Sequence, residues 1–182
     1  MRITSGIYKG RVLSVPKTDL IRPTQDRVRE ALFSIIQVEV PGADFLDLFA
    51  GTGAVGLEAL SRGAKSATFV EAEGRHLTHL KKNLGNVRAN VIRADVYRWI
   101  ASYSGPGFSI GFSDPPYALG EDRGYETVLG TLAARNVIRP DGLFIAEMTA
   151  HQLSEDPPGW ELLRDRTYGK TRLVIWRRKA AE

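Results

Sequence analysis

The residues best suited to chemistry are Asp114, Pro115, Pro116 and Tyr117, which follow the apolar run 108–112. Proline has no N–H and holds the preceding residue extended, so the carbonyls of this motif stay free. A carboxylate beside a free carbonyl can accept both hydrogens of an NH2 group, and a tyrosine ring can stack on a base. The motif therefore predicts a loop that holds the exocyclic amine of a nucleobase. A proline-rich turn after a strand is the plainer alternative.

A second motif lies upstream, where the apolar run 45–49 leads into Gly51, Gly53 and Gly56. A strand, a glycine loop and a helix make a nucleotide-binding unit, and this spacing matches the dinucleotide fingerprint. Asp47 precedes the loop, and its carboxylate would repel a pyrophosphate but attract a cation. The pattern therefore favours S-adenosylmethionine, which carries a sulfonium and an ammonium, over a nicotinamide dinucleotide.

Acidic residues end the next predicted strands as well. Glu71 follows the run 67–70, where an acid commonly binds ribose hydroxyls, and Asp95 follows the run 90–94, where it could accept from an adenine amine. Strands alternate with helical patterns over most of the chain, which indicates an α/β fold with a mostly parallel sheet covered on both faces. The patterns predict a helix from Leu57 and, after a turn at residues 139–142, a strand from Gly142. Four acids at successive strand ends are difficult to explain as core structure, because an unpaired buried carboxylate is costly.

Length and composition narrow the class of protein. The 182 residues fit one domain, and 43% hydrophobic with 25% charged residues is usual for a soluble globular chain. Cysteine is absent, so a disulfide framework and thiolate metal ligands are excluded. The sequence has neither a signal-peptide pattern nor an apolar run long enough to span a bilayer. We therefore expect a cytoplasmic, monomeric protein that uses no metal.

The ends of the chain are basic and its centre is acidic. Residues 1–29 and residues 164–182 each carry a net charge of +5, although the whole chain carries only +4. Because phosphate contacts supply most of the affinity for nucleic acids, this distribution favours a polyanion bound by the two ends over a merely solvated surface. The predicted RNA-binding residues are Arg2, Tyr8, Lys9, Arg11, Arg22, Arg27, Lys170 and Arg172.

Two segments would present these N-terminal cations. Residues 2–15 alternate apolar and polar side chains, which predicts a small basic β-hairpin, so we divide the chain into an extension at 1–20 and a main domain at 21–182. A helix should follow with Thr24 as its N-cap and Val28 and Leu32 on its buried face. Arg22, Arg27 and Arg29 lie on the other face, where solvation and a binding role are about equally expected.

These pieces together resemble the class I S-adenosylmethionine-dependent methyltransferases that modify amino groups. More narrowly, the chain resembles the bacterial RsmD family of 16S ribosomal RNA guanine-N2 methyltransferases. The resemblance covers about the first two thirds of the chain, and its most specific part is the run from Arg22 to Glu30, within the matching segment 22–33. The sequence differs from the family pattern at Ser34 and Ser109. The resemblance implies a seven-stranded Rossmann-like sheet and ribosomal RNA or the small ribosomal subunit as partner.

The resemblance also implies roles for individual residues. The methionine part of the cofactor would lie against Asp47, Gly51 and Gly53, its ribose against Glu71 and its adenine near Asp95. Asp114 and the Pro115 carbonyl would hold the target amine while Tyr117 stacks on the base. The full predicted cofactor-binding set is Asp47, Phe49, Gly51, Gly53, Glu71, Ala72, Asp95, Val96 and Asp114.

Other functions stay open at this point. A DNA or other RNA amino methyltransferase, acting on adenine N6 or cytosine N4, would use the same motif, although a DNA enzyme usually needs a target-recognition region for which the chain has little room. A nicotinamide-dependent dehydrogenase would fit the glycines but not Asp47. A non-catalytic RNA-binding protein would fit the charge but has no need for the four acids. A glutamine-modifying relative would have Asn in place of Asp114.

Overall fold

The chain folds around one sheet, whose strands alternate with helices along the sequence. The computed structural model describes residues 1–16, 24–115, 125–149 and 157–180, with the backbone alone for Thr24, Gln25 and Thr149. Arg22, Pro116, Tyr117 and the predicted domain boundary at residue 20 lie outside the described residues. Within the described ranges, no helix is long and apolar enough to cross a membrane.

Seven strands and five helices are described. In chain order they are α1 (Thr24–Ile35), β1 (Asp44–Leu48), α2 (Ala54–Ser61), β2 (Ser66–Glu71), α3 (Gly74–Leu84), β3 (Asn90–Arg93), α4 (Val96–Ser102), β4 (Phe108–Ser113), α5 (Tyr125–Ala134), β5 (Ile138–Thr149), β6 (Trp160–Tyr168) and β7 (Thr171–Arg178). The strand order is β3-β2-β1-β4-β5-β7-β6. Strands β1 to β5 are parallel, and β7 pairs antiparallel with both β5 and β6. The predicted seven-stranded, mostly parallel α/β fold is confirmed.

Helices cover both faces of the sheet, which explains why its central strands are apolar almost throughout. On one face, α1, α2, α3 and residues 1–16 pack on strand residues such as Phe45 and Ile145. On the other face, α4 and α5 pack on residues such as Leu46 and Phe144. Because β1 to β5 run the same way, their carboxyl ends meet at one edge of the sheet, which we call the carboxyl edge.

The chain start is part of the first core. Ile3 and Leu13 are only 1% and 3% exposed. The predicted hairpin is reduced to a single antiparallel bridge between Arg2 and Val12, supported by a hydrogen bond from the Ile3 N–H to the Arg11 carbonyl at 3.0 Å. Residues 1–16 therefore form a wide turn on the helices rather than a free two-stranded ribbon.

Two elements begin earlier than the sequence predicts. Strand β5 begins at Ile138, whereas the pattern predicted a turn through residues 139–142 and a strand from Gly142. Asp141 has a left-handed backbone with φ 61°, and the pairing of β4 with β5 shifts register between Phe108 and Ile110. The turn residues are therefore an irregularity within a long strand. Helix α2 likewise begins at Ala54, three residues before its predicted start.

Candidate active site

The main cavity opens at the carboxyl edge, between the loop after β1 and helix α1. Its volume is about 140 Å³, and we call it the main cavity because it holds predicted site residues, although an open cleft beside Asn90 and Trp99 is larger, at about 800 Å³. The main cavity brings together four of the predicted site residues, namely Asp47, Phe49, Gly51 and Asp114. The opposite wall comes from α1 and the chain start, with Met1, Val28 and Leu32 among its residues.

Asp47 provides a buried carboxylate in this cavity. It is 2% exposed, and its Oδ2 accepts a hydrogen bond from the Gly56 N–H at 2.8 Å. A Cβ on residue 56 would lie 2.3 Å from the Phe69 ring, so only glycine lets the first turn of α2 approach this carboxylate. Burial raises the pKa of Asp47 well above its usual value; the Gly56 hydrogen bond opposes this, while Glu71 and Asp114 add to it. The positive charge of a bound ligand would favour the ionised form of this carboxylate.

The loop between Asp47 and α2 is held in rare backbone geometry. Phe49 has φ 56°, a left-handed conformation that costs a residue with a side chain about 1–3 kcal/mol and is found mainly at functional sites. Its ring packs edge-on against Tyr97, with ring centres 5.7 Å apart. Gly53 faces the core rather than the main cavity, because a Cβ at this position would lie 2.2 Å from the Leu80 side chain. Gly51 is thus the predicted loop glycine that lines the cavity.

Glu71 fixes the glycine loop to the end of β2. Its Oε2 accepts from the Gly51 N–H and its Oε1 accepts from the Glu73 N–H, both at 2.7 Å. His76 lies beside it, with 3.6 Å between Nδ1 and Oε2. Each carboxylate oxygen has a second lone pair, so these bonds leave acceptor capacity for hydroxyl groups.

Three further predicted residues lie toward β3 and α4. Asp95 is exposed and caps α4 by accepting from the Arg98 N–H at 2.9 Å. Ala72 is exposed after β2, whereas Val96 is 3% exposed. Val96, Phe49 and Pro115 line a second, small cavity of about 10 Å³, which we call the side cavity. Phe49 therefore stands between the main cavity and the side cavity.

Glu147 and Tyr125 belong to the site but were not predicted. Glu147 lies near the end of β5 and lines the main cavity beside Asp114. The Tyr125 hydroxyl donates to the Glu147 carbonyl at 3.1 Å, and Tyr125 lines the side cavity. The rule that located four other acids at strand ends also applies to Glu147, which is followed by only two more residues of β5. Tyr125 has no comparable signal in the sequence.

The prediction that Arg29 lies on a solvent-facing side of α1 is wrong. Arg29 is 3% exposed and its Nε lies 3.3 Å from Oε2 of Glu58, which is fully buried on α2. The same Glu58 carboxylate binds Arg62 at 2.9 Å and accepts from the N–H groups of Thr4 and Ser5. This Glu58 cluster joins α1, α2 and the chain start, so the pairing that buries Arg29 comes from segments distant in sequence.

The predicted RNA-binding residues occupy both edges of the molecule. β7 begins opposite the end of β5, where Thr171 pairs with Thr149, so Lys170 and Arg172 lie at the carboxyl edge. Arg172 Nε donates to Asp165 at 2.7 Å, and this bond raises the pKa of Arg172. Tyr8 instead donates from its N–H to Ser61 at the far end of α2. Arg2, Lys9, Arg27 and Lys170 are exposed, whereas Tyr8, Arg11 and Arg172 are half-buried.

The donors and acceptors of the main cavity suit an organic cation. Asp47 and Asp114 are carboxylates in one cavity, and the loop between β1 and α2 brings Gly51 to the same place. Within the described residues, no group of three or more histidines and acids could hold a metal ion. A ligand with a sulfonium and an ammonium would place positive charge in the cavity that Asp47 and Asp114 line and that Arg29 also borders.

Known proteins resemble the chain along nearly its whole length. The family model described as Conserved hypothetical protein 95 matches residues 1–177. Proteins named ribosomal RNA small subunit methyltransferase D from Haemophilus influenzae and Escherichia coli strain K12 are 33% and 34% identical; the alignments cover 93% and 99% of this chain, and 89% and 91% of those proteins. A solved structure of the Escherichia coli protein yhhF has a TM-score of 0.88 at 34% identity, covering 100% of this chain and 99% of that one.

The resemblance to the RsmD family is confirmed by this agreement of sequence and fold. The family model and the two relatives extend far beyond the motifs from which the resemblance was first drawn. The chain therefore belongs to the Conserved hypothetical protein 95 family, the family of the ribosomal RNA small subunit methyltransferase D proteins.

Proposed function

We propose that this protein transfers a methyl group from S-adenosylmethionine to the exocyclic N2 amine of a guanine in 16S ribosomal RNA. The observation that carries the proposal is that Asp47 and Asp114 line one cavity at the carboxyl edge of a Rossmann-like sheet. One carboxylate suits the cofactor's cation and the other suits an amine. Membership of a family whose relatives are named for methylating small-subunit ribosomal RNA supports the RNA substrate.

The cofactor would be held along the carboxyl edge. Asp47 and Gly51 contact its methionine part, Glu71 its ribose hydroxyls and Asp95 its adenine amine. Phe49, Gly53, Ala72 and Val96 shape the loops around it. When bound, S-adenosylmethionine supplies an electrophilic methyl group, whose bond to sulfur breaks as the bond to the guanine nitrogen forms.

The protein contributes orientation and electrostatics to the transfer. Asp114 and the Pro115 carbonyl each accept a hydrogen bond from the target amine, and Tyr117 stacks on the base. The charge of Asp114 stabilises the positive charge that develops on N2, and the proton leaves to Asp114 or to water. No covalent intermediate with the protein is needed.

The basic residues would hold the RNA. Arg2, Lys9, Arg11, Arg22, Arg27, Lys170 and Arg172 neutralise phosphates, while Tyr8 offers a ring for stacking. Residues 1–20 act as a basic extension of the domain formed by residues 21–182, and the protein works as a monomer.

The direct test is methyl transfer from radiolabelled cofactor to small-subunit ribosomal RNA and to partly assembled subunits that lack native modification. Nucleoside analysis then identifies the product. N2-methylguanosine is the expected result. Label in N6-methyladenosine or N4-methylcytidine would support the alternative amino methyltransferase, and absence of label on any RNA or DNA would contradict a methyltransferase.

The substitution Asp114→Ala tests the catalytic assignment. Turnover should fall about 100-fold or more, because one preorganised acceptor of developing charge is lost. Cofactor affinity, measured by calorimetry, should stay within about threefold. Glu126→Ala, which removes an exposed acid from the first turn of α5, is the matched control and should remain active. An active Asp114→Ala variant would refute the role given to Asp114.

A further inference from the structure

Glu147 stands beside Asp114 on the neighbouring strand. Ser113, the last residue of β4, is paired with Ala146 of β5; Asp114 directly follows β4, and Glu147 is the next residue of β5. Neighbouring strands lie about 5 Å apart. Side chains alternate between faces, so Asp114 shares the face of Phe112 and Glu147 the face of Ile145, and both of those residues lie in the core beneath α1. The two carboxylates therefore project from adjacent positions on one face of the sheet.

Both carboxylates reach the same space. Asp114 and Glu147 line the main cavity together with Phe112 and Leu173, and Leu173 is the partner of Glu147 in the β5–β7 pairing. The Tyr125 hydroxyl binds the Glu147 carbonyl, so the backbone at this position is fixed from a helix as well as from two strands. Burial raises the pKa of Tyr125 and both carboxylates add to the effect, which agrees with their closeness to its ring.

Guanine differs from the other amino bases at the ring nitrogen next to its amine. Guanine N1 carries a hydrogen and donates it, whereas adenine N1 and cytosine N3 carry none and accept. A carboxylate can only accept when it is ionised. A second carboxylate beside the amine site therefore attracts guanine N1–H and repels the lone pair that adenine or cytosine would place there.

We propose that Glu147 accepts a hydrogen bond from guanine N1–H while Asp114 and the Pro115 carbonyl hold the N2 amine. Glu147 is then the residue that selects guanine from the bases with an exocyclic amine. This inference rests on the proposed function, since it assigns the base that the amine site receives. The assignment of guanine is then supported by a residue of this chain as well as by the family resemblance.

The base 2-aminopurine provides a direct test, because it keeps the C2 amine of guanine but has no hydrogen on N1. It also lacks O6, so the role of Glu147 is judged from the change in the ratio between the two bases when Glu147 is substituted. The methylated position is first mapped in the wild-type reaction. Small-subunit ribosomal RNA is then assembled by ligation with either guanine or 2-aminopurine at that position. For the wild-type protein, kcat/KM should be roughly 10- to 100-fold lower on 2-aminopurine, as expected for the loss of a hydrogen bond to a charged group.

The substitution Glu147→Gln should remove most of this preference. A glutamine amide can donate to an unprotonated N1 as well as accept from N1–H, so the two substrates should come within about threefold of each other. Glu147→Asp keeps a carboxylate and should keep the preference at a lower rate. Glu161→Gln, at an exposed position on β6, is the matched control and should leave the ratio unchanged.

The possible outcomes distinguish a failure of the role given to Glu147 from a failure of the proposed methyl transfer. If wild-type protein labels neither RNA, the proposed function fails. If it labels guanine but Glu147→Gln keeps the wild-type ratio, the role of Glu147 is refuted and the proposed function stands. A general structural defect would lower both rates together and leave the ratio intact, so it also counts against selection by Glu147. Thermal unfolding and cofactor affinity of each variant are measured alongside.

Discussion

Burial raises the pKa of Asp47, so we expect its ionised carboxylate to lower the free energy of unfolding. The substitution Asp47→Asn keeps an acceptor for the Gly56 N–H and removes the charge. We expect the variant to melt at least about 2 °C higher than wild type at pH 7, since 1 kcal/mol shifts the melting temperature of a domain of this size by about 2–4 °C. Its affinity for S-adenosylmethionine should fall at least about tenfold. Differential scanning calorimetry and titration calorimetry measure the two effects.

The pH dependence of this difference follows from the direction of the pKa shift. Folding raises the pKa of Asp47, so the folded protein binds this proton more tightly than the unfolded chain does. The protein therefore loses stability as pH rises from about 3.9 through the folded pKa. The increase in melting temperature caused by Asp47→Asn should therefore be absent near pH 3.5 and should grow toward neutral pH. The control Asp44→Asn, at the opposite end of β1, should show no such growth. A gain independent of pH would contradict the explanation by charge.

The Glu58 cluster joins three segments into one wall of the main cavity. Thr4 and Ser5 of the chain start, Arg29 of α1 and Arg62 after α2 all bind the same fully buried carboxylate. Burial alone would raise the pKa of Glu58, but the hydrogen bonds from Thr4 and the charges of the two arginines lower it overall. The cluster therefore favours the ionised carboxylate and holds α1 against α2.

The substitution Glu58→Gln should lower the free energy of unfolding by about 2–4 kcal/mol, because it removes the carboxylate that Arg29 and Arg62 share, while Arg29 keeps Asp26 and the Arg2 carbonyl as partners. The ionised Glu58 stabilises the fold above about pH 4.3, and this contribution is lost as pH falls through its lowered pKa. The free energies of unfolding of wild type and Glu58→Gln should therefore converge in acid. Urea unfolding measures the change. Glu73→Gln, which breaks an exposed pair with Arg75, should cost less than about 1 kcal/mol. Equal losses in the two variants would contradict the role of burial.

How far the sequence predicts the structure depends on how local each signal is. Strand runs, glycine loops and the acids at the ends of β1, β2, β3 and β4 are read from a few consecutive residues, and they predict the sheet and several residues of the main cavity. Arg29 was misplaced because its buried partner Glu58 lies 29 positions away and the chain start completes the pair. The predicted start of β5 was too late because residues 139–141 have the composition of a turn, although Ile138 before them and Leu143 after them both pair with β4.

One exposed cation from each basic end of the chain lies near the carboxyl edge. Helix α1 lines the main cavity through Val28 and Leu32, which places the exposed Arg27 near its rim. Lys170 lies in the turn before β7, next to the end of β5. Lys9 lies farther from this edge. Its segment bonds to Ser61, at the end of α2 away from the glycine loop, and the eight residues of α2 span about 12 Å. If the reacting base enters the main cavity, phosphates near it should contact Arg27 and Lys170 before Lys9.

Charge reversal should therefore rank the three positions. Arg27→Glu and Lys170→Glu should each weaken binding to small-subunit ribosomal RNA about tenfold in low salt, and each should reduce the slope of log affinity against log salt by about 1. Lys9→Glu should have a smaller effect, since it acts from the far end of α2. Arg135→Glu is the matched control, because Arg135 is exposed after α5, before β5 begins, and so lies away from the carboxyl edge. Filter binding across a salt series gives both quantities. If Arg135→Glu weakens binding as much as Lys170→Glu, the RNA responds only to total charge, and the carboxyl edge is not the surface that positions it.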